Sequence, residues 1–444
     1  MIEATYHFPR GFLWGTATAA HQVEGGNTNN QWHAWEQAGR TQGASGLACD
    51  WWSGRWHEDF DRAAETGQKT HRLSVEWSRI QPTPEQWDED ALERYRTMLR
   101  GLRQRGMTAM VTLHHFTHPL WLEEVGGWES VTAISHFDRF VRKTVEALKE
   151  YCGLWCTINE PNTYAGLGYV TGAMPPGGGG LAPAVRVQAN MARAHAAAYR
   201  TIHEIQPAAR VGYALHYRPA LPRRRWCALD SMMTHYRDLA VNLAFPTAVS
   251  SGVMRTPLGR IRMPEVKGTQ DYFGLNYYSS DTVSFDPLRP KELFTRTHYP
   301  RDADLSQSGM IANIPQGFYA AIHWVVRTYP DLPILITENG IDSSEDAVRR
   351  RYLAQHLHQI WRAVNFNWQI KGYFHWTLVD NFEWERGWTQ RFGLWALDTQ
   401  TQKRTKRPSA DLFAAICKTN SLSTEMVHQY CPEVFDNIFP PFEG

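Results

Sequence analysis

Two glutamates close apolar runs in the same kind of setting. Glu160 ends the run in CTINEPN, held between Asn159 and Pro161, and Glu338 ends the run in PILITENGI, beside Asn339 and the turn-forming Gly340. Asn, Pro and Gly next to an acid also describe an ordinary surface turn, but two acids in one repeated design ask for a common chemistry. A pair of carboxyl groups on either side of a sugar is the minimum for cleaving a glycosidic bond. One protonates the leaving oxygen and the other meets the developing oxocarbenium ion, with no metal or cofactor. The two must differ in pKa at one pH, and an ionised partner raises the pKa of its neighbour. An arginine beside the nucleophile would hold that group charged, and Arg72 is the candidate.

Such a pair needs a scaffold that joins distant segments. Short apolar runs recur along the chain: FLWGTATA (12–19), THRLSVEW (70–77), TAMVTLHHF (108–116), LWCTINE (154–160), RVGYALHY (210–217), DYFGLNYYS (271–279), PILITE (333–338) and KGYFHWTLV (371–379). Between them, segments such as 88–106, 135–151, 184–205, 316–329 and 344–364 carry apolar residues three and four apart, the stripe of a helix packed on strands. This alternation predicts the α/β class and a single (β/α)8 TIM barrel, in which strand ends deliver polar residues to one mouth. Those ends carry His21 and Gln22, Arg72 and Glu76, His114 and His115, Asn159 and Glu160, Asn276 and Tyr278, Glu338, then Trp376, Asp380 and Glu383. The stretches 174–180 (MPPGGGG) and 281–307 read as long βα loops.

Composition narrows the substrate. The 46 Lys and Arg nearly cancel the 45 Asp and Glu over 444 residues, so no global field points to nucleic acid or an anionic membrane. The basic clusters Arg223 to Arg225 and Lys403, Arg404, Lys406, Arg407 read as solvated loops. Nineteen tryptophans exceed the needs of core packing, and an indole can cover the C–H face of a sugar while its N–H bonds a hydroxyl. Six cysteines without a CxxC pair argue against a zinc knuckle or a disulfide framework. The opening MIEATYHFPRGFLWG has no basic start followed by an apolar segment, and no run of about 18 apolar residues occurs, so the chain reads as soluble and cytoplasmic.

The motifs TINEP, ITENG and NFEW, with the opening FLWGTATAAHQVEG, resemble the signatures of glycoside hydrolase family 1, the β-glucosidase and β-galactosidase family, in that family's order from about Phe8 to Ile416. The resemblance implies a retaining double displacement on β-glycosides, with Glu160 as acid/base and Glu338 as nucleophile. It implies further that Asn159 bonds the sugar 2-OH, that Gln22, His115, Glu383 and Trp384 bind the outer hydroxyls, and that Trp376 forms the stacking floor. Tyr278, Asn276 and Arg72 would support the nucleophile side. The expected substrate is a small β-glycoside or oligosaccharide with a terminal nonreducing glucosyl, galactosyl or fucosyl residue. No cofactor, metal, nucleic acid or membrane is expected, and a homo-oligomer stays open. Glu383 near O4 and O6 argues against a 6-phosphoglycoside.

The chain departs from the pattern in three places. Phe116 stands where a Trp usually follows the histidine, which removes an indole donor unless a neighbour such as His118 replaces it. GMIAN (309–313) lacks the tryptophan that platforms the leaving group in many relatives, leaving Met310 or Ile311 against an apolar aglycone. The barrel is expected over residues 1–418, and 419–444 as a tail docked on it. Three rivals follow from the same residues: a metal-dependent hydrolase built on HHFTH (114–118), a sugar-binding relative without turnover, and a transglycosylase using the same glycosyl-enzyme.

Overall fold

The structure is a computed structural model that describes residues 3–440; residues 1–2 of the expected barrel segment and 441–444 of the expected tail lie outside the described residues. Eight parallel strands close into a barrel in chain order: β1 (Leu13–Ala17), β2 (Thr70–Ser74), β3 (Thr108–His114), β4 (Cys152–Asn159), β5 (Arg210–His216), β6 (Phe273–Asn276), β7 (Ile334–Asn339) and β8 (Ile370–His375), with β8 pairing back to β1. Each overlaps one of the eight apolar runs, and only β4, β7 and β8 extend past theirs, by one or two residues. Helices cover the outside and side chains fill the inside, so these strands are buried on both faces and read as runs rather than alternations.

The covering helices are α1 (Trp56–Glu65), α2 (Glu89–Gln104), α3 (Thr132–Leu148), α4 (Leu181–Ile205), α5 (Ala244–Ser251), α6 (Pro315–Thr328), α7 (Asp346–Asn365) and α8 (Pro408–Thr419). Their starts follow local chemistry. The Asp88 carboxylate caps α2 by accepting from the Ala91 amide at 2.8 Å, and prolines with preset φ open α6 and α8. On α2, Leu92, Tyr95, Leu99 and Leu102 face the barrel at the spacing that predicts it.

Regular pairing breaks at the C-terminal ends of the strands. Register shifts fall between Cys156 and Asn159 against β5, between Leu275 and Asn276 against β7, and between Ile336 and Asn339 against β8. Such irregularities re-aim side chains that strict alternation would send to opposite faces. They sit where the two glutamates emerge.

Two loop readings change. The stretch 281–307 carries a hairpin, Asp281–Phe285 against Thr295–His298, joined by Ala220–Pro222 into a three-stranded sheet. Strands of four or five residues amid turn formers leave too little pattern to read. The second basic cluster is not wholly solvated: Arg404 is buried on the Asp59 carboxylate, and Arg407 forms a forked pair with Asp380 at 2.8 and 2.9 Å.

Beyond α8 the chain returns to its own start. Ser421–Ser423 pairs antiparallel with Thr5–His7, the Tyr6 hydroxyl donates to the Ile438 carbonyl at 2.8 Å, and the Tyr6 ring stacks between Trp361 of α7 and Phe439.

Gly340 after β7 is required by a close approach rather than by a turn: a Cβ there would lie 2.0 Å from the Trp376 carbonyl oxygen. Gly340→Ala is therefore expected to lower stability by about 1–3 kcal/mol and to reduce turnover, because it pushes apart the strand ends bearing Glu338 and Trp376. Urea unfolding checks it, and an unchanged curve would contradict the account.

Candidate active site

The site begins with a charge that cannot reach water. Arg72 on β2 is fully buried inside the barrel, and a buried guanidinium must find acceptors for its fork. Nη1 donates to Glu338 Oε1 at 2.6 Å and to the Thr337 carbonyl at 3.1 Å, Nη2 to Asn159 Oδ1 at 2.6 Å, and Nε to Thr112 Oγ1 at 3.1 Å. One side chain thus ties β2 to β3, β4 and β7.

The orientation of the neighbours follows from that fork. Because Asn159 Oδ1 accepts from Arg72, its Nδ2 must donate, and it does so to His115 Nε2 at 3.1 Å. With Nε2 accepting, the His115 proton lies on Nδ1, which is buried without a partner among the described residues. Burial first, and then Arg72, hold the His115 pKa well below its ordinary value, so the ring is neutral. From β7, Thr337 Oγ1 donates to Oδ1 of Asn276 on β6 at 2.6 Å, which turns Asn276 Nδ2 toward Glu160 Oε1 at 2.7 Å.

The two carboxyls end in different surroundings. Glu338 has the Arg72 cation on one oxygen and the Tyr278 hydroxyl, at 2.6 Å, on the other. Glu160 has the neutral Asn276 amide on Oε1, while Oε2 faces His216 Nδ1 at 3.8 Å, beyond a hydrogen bond. Burial, then the Arg218 charge, lower the His216 pKa to about 4, so it brings no cation to Glu160. Burial raises both carboxyl pKa values. On Glu338 the Arg72 charge opposes burial, while the Glu160 charge adds to it. Of two acids in one dry site, one keeps a proton; the Arg72 charge lowers the pKa of both, and only Glu338 is in bonding contact with it.

Local backbone explains how Asn159 and Glu160 serve one cavity although adjacent strand residues point apart. Glu160 adopts φ 43° and ψ 59°, left-handed for a non-glycine residue, and precedes Pro161 at the first position of the helix Pro161–Ala165. Its amide donates to the Ala214 carbonyl at 2.8 Å and its carbonyl accepts from the Tyr164 amide at 2.9 Å.

A cavity of about 420 Å³ opens above these groups. Of the residues singled out from sequence, Glu160, Glu338, His115, Asn159, Tyr278, Trp376, Glu383 and Trp384 line it. Arg72 and Asn276 lie below the wall. Gln22 is placed behind it as well: fully buried, it donates to the Phe382 carbonyl at 2.6 Å, next to Glu383. The Trp376 indole donates to Glu383 Oε1 at 3.1 Å, and the His115 ring stacks near both Trp376 and Trp384. Burial raises the Glu383 pKa well above the carboxylate range.

Other strand-end residues have structural partners instead. His21 bonds Glu36, Glu76 bonds Thr117 and Ser78, and Asp380 bonds Arg407. The histidines of HHFTH take separate partners: His114 accepts from the Trp128 indole, His115 from Asn159, and His118 bonds Gln31 and Glu123. Both His118 nitrogens are thereby committed and cannot replace the missing indole donor. Phe116, at φ 69°, packs against Trp384 and lines the cavity. Met310 and Ile311 line its outer part. His216 was not singled out from sequence; its only signal was its place near the end of the fifth apolar run.

Residues 4–422 match the model of Glycosyl hydrolase family 1. The chain belongs to that family. A 1,4-beta-D-glucan glucohydrolase of Thermotoga neapolitana is 30% identical over 94% of this chain and 99% of its own. The cytosolic beta-glucosidase of Homo sapiens is 28% identical over 94% of this chain and 100% of its own. Among solved structures, a beta-glycosidase from Pyrococcus horikoshii superposes with a TM-score of 0.89 at 33% identity, covering 96% of this chain and 98% of that one. A beta-glucosidase from Thermotoga maritima in complex with glucoimidazole superposes at 0.87 and 29% identity, over 94% and 100%. This family 1 chain is a glycoside hydrolase of the β-glycosidase type on a (β/α)8 barrel.

Arg72→Met removes the cation that opposes burial at Glu338, so the carboxyl pKa should rise and the acid limb of kcat/KM for an aryl β-glycoside should move to higher pH. Stability should fall by about 3–5 kcal/mol, the usual cost of orphaning one member of a buried pair. An unmoved acid limb in folded variant protein would contradict the assignment.

Proposed function

We propose that this glycosidase hydrolyses terminal, nonreducing β-D-glucosyl residues, with galactosyl and fucosyl residues as further glycones, by double displacement with retention. The observation that carries the reading is the asymmetry of the pair: Glu338 is ion-paired to Arg72, whereas Glu160 has only a neutral amide in bonding range of Oε1. A Glu338 oxygen attacks the anomeric carbon as the carbon–oxygen bond to the aglycone breaks, and Glu160 gives its proton to the departing oxygen. Glu160, now ionised, takes a proton from water, whose oxygen attacks the same carbon and releases Glu338. Two inversions restore the β configuration.

The remaining groups fit a polyol. Asn159 lies between the two carboxyls and can meet the 2-OH, the unpartnered His115 Nδ1–H is a donor, Glu383 an acceptor, and Trp376 a ring face. Gln22 holds the Phe382 carbonyl through its amide N–H, and its buried Oε1, without a partner among the described residues, remains an acceptor for an outer hydroxyl. Phe116 offers a ring without an N–H at the wall where the glycone's outer hydroxyls would lie, which favours glycones that need one donor fewer there. Glu383, whose bonded partner is the Trp376 indole, offers a phosphate at O6 no charge to pair with. The presence of both carboxyls favours turnover over sugar binding alone. Transglycosylation would share the first step and differ in the acceptor. Six free cysteines, five of them buried, support a cytoplasmic site of action.

Glu160→Gln is expected to slow alkyl glycosides by about 10²–10⁴-fold, the usual share of general acid catalysis, to slow activated aryl glycosides less, and to abolish the basic limb of the pH profile. Glu338→Gln should remove turnover of both. The product anomer, followed by proton NMR, should be β; an α product, or equal residual activity in the two variants, would overturn the assignment.

A further inference from the structure

Asp281 opens the hairpin strand Asp281–Phe285, and its carboxylate is fully buried between two arginines. Arg218 Nε donates to Oδ1 at 2.8 Å, and Arg237 Nη2 donates to Oδ2. Two guanidinium charges share one carboxylate, so one positive charge is left over. Both arginines also line the cavity that holds Glu160 and Glu338. Arg218 completes its Nη2 on the Tyr299 hydroxyl and the Met310 carbonyl. Arg237 does not complete its fork: Nη1 is buried without a hydrogen-bond partner among the described residues. A buried donor on a charged group is costly to leave unpaired, and few native ones are.

The acids nearby do not supply the missing anion. Asp238, next in sequence, accepts from Asn242 Nδ2 at 2.7 Å. Glu292 on the cavity wall is held by Arg289 at 2.8 and 2.9 Å, and Glu385 is paired with Arg386 at 3.2 Å. Lys291 lines the same cavity and has no salt-bridge partner among the described residues, so it adds to the excess. A pin between this hairpin and the end of β5 would be complete with Arg218 alone. The second arginine brings a charge that no described residue consumes.

The excess lies on the side where the leaving group departs. His216 faces Glu160 Oε2 at 3.8 Å, and Arg218 follows two residues later on the extended continuation of β5, where the Tyr217 amide still donates to the Asn276 carbonyl at 3.0 Å. Two extended residues advance about 7 Å and return to the same side, roughly one aromatic ring beyond the oxygen that Glu160 protonates. We propose that Arg218 and Arg237 seat an anion carried by the leaving group, so that the site selects β-glycosides of aryl carboxylic acids. A planar carboxylate suits guanidinium donors better than an ammonium would. The reaction is unchanged: water enters, the anomeric carbon–oxygen bond breaks, and the phenol leaves with its oxygen and one proton, its carboxylate intact. The inference rests on the β-glycosidase reading and names the leaving group for it.

The test compares kcat/KM for 4-carboxyphenyl and 4-carbamoylphenyl β-glucosides, which match in shape and differ in charge. The amide is the better leaving group, so a preference for the acid runs against reactivity. Wild-type protein should prefer the acid by about tenfold or more, the usual worth of a hydrogen bond to a charged group, chiefly through KM, and the preference should shrink as salt rises. Arg237→Gln leaves Arg218 on the buried Asp281 and should bring the ratio close to one, as should Arg218→Gln; a ratio taken within one protein cancels any loss of folded material. Arg225→Gln removes the same charge from an exposed position outside the cavity wall and should keep the wild-type ratio. A wild-type ratio near one, with both substrates turned over, would overturn this proposal alone. So would a preference that survives in both cavity variants or falls as far in Arg225→Gln. Failure of wild-type protein to turn over either substrate or a nitrophenyl β-glucoside would instead overturn the β-glycosidase reading.

Discussion

Arg72 carries a full charge into the centre of a barrel where no solvent can screen it, and the polar interior is arranged around that fact. Its fork reaches Glu338, Thr337, Asn159 and Thr112, so four of the eight strands are fixed relative to one another at their cavity ends. Breaking such a buried pair is costly because it strands the remaining charge. The order imposed is chemical as well as mechanical. The fork fixes which way Asn159 points, Asn159 fixes the His115 tautomer, and the ion pair gives Glu338 alone a bonded cation.

The cavity divides along the same line. Toward the barrel floor, bonded carboxyls, amides and imidazoles face rings of tryptophan, suited to a polyol whose every hydroxyl needs a partner. Away from them the lining mixes aliphatic side chains, Leu167, Val170, Leu181 and Leu293, with charged ones such as Arg218, Arg237 and Lys291. Glu160 lies at the boundary, where burial raises its pKa while it still lines the cavity.

Much of this was legible in the amino-acid order, for identifiable reasons. Strands buried on both faces leave apolar runs, so β1 to β8 could be located, and the acids at their ends stood out against those runs. What depended on three-dimensional proximity could not be read. Gly340 looks like a turn residue, but its need is the passing Trp376 carbonyl. Gln22 belongs to a motif, but that its amide N–H would be committed to the Phe382 carbonyl could not be seen in it. His118 looked free to donate until Gln31 and Glu123 claimed both nitrogens. His216 reaches the Glu160 side only because β5 lies next to β4. The hairpin at 281–298 was hidden by strands too short to show a period.

The central claim is that Arg72 places the negative charge on Glu338 and leaves the proton on Glu160. Carbon-13 NMR of glutamate-labelled protein, with the two carboxyl resonances assigned from Glu160→Gln and Glu338→Gln, measures this directly. The account predicts that Glu338 ionises first as pH rises, and that the Glu160 pKa falls in Glu338→Gln protein because the like charge is gone. Ionisation of Glu160 ahead of Glu338, or a Glu160 pKa indifferent to that substitution, would contradict it.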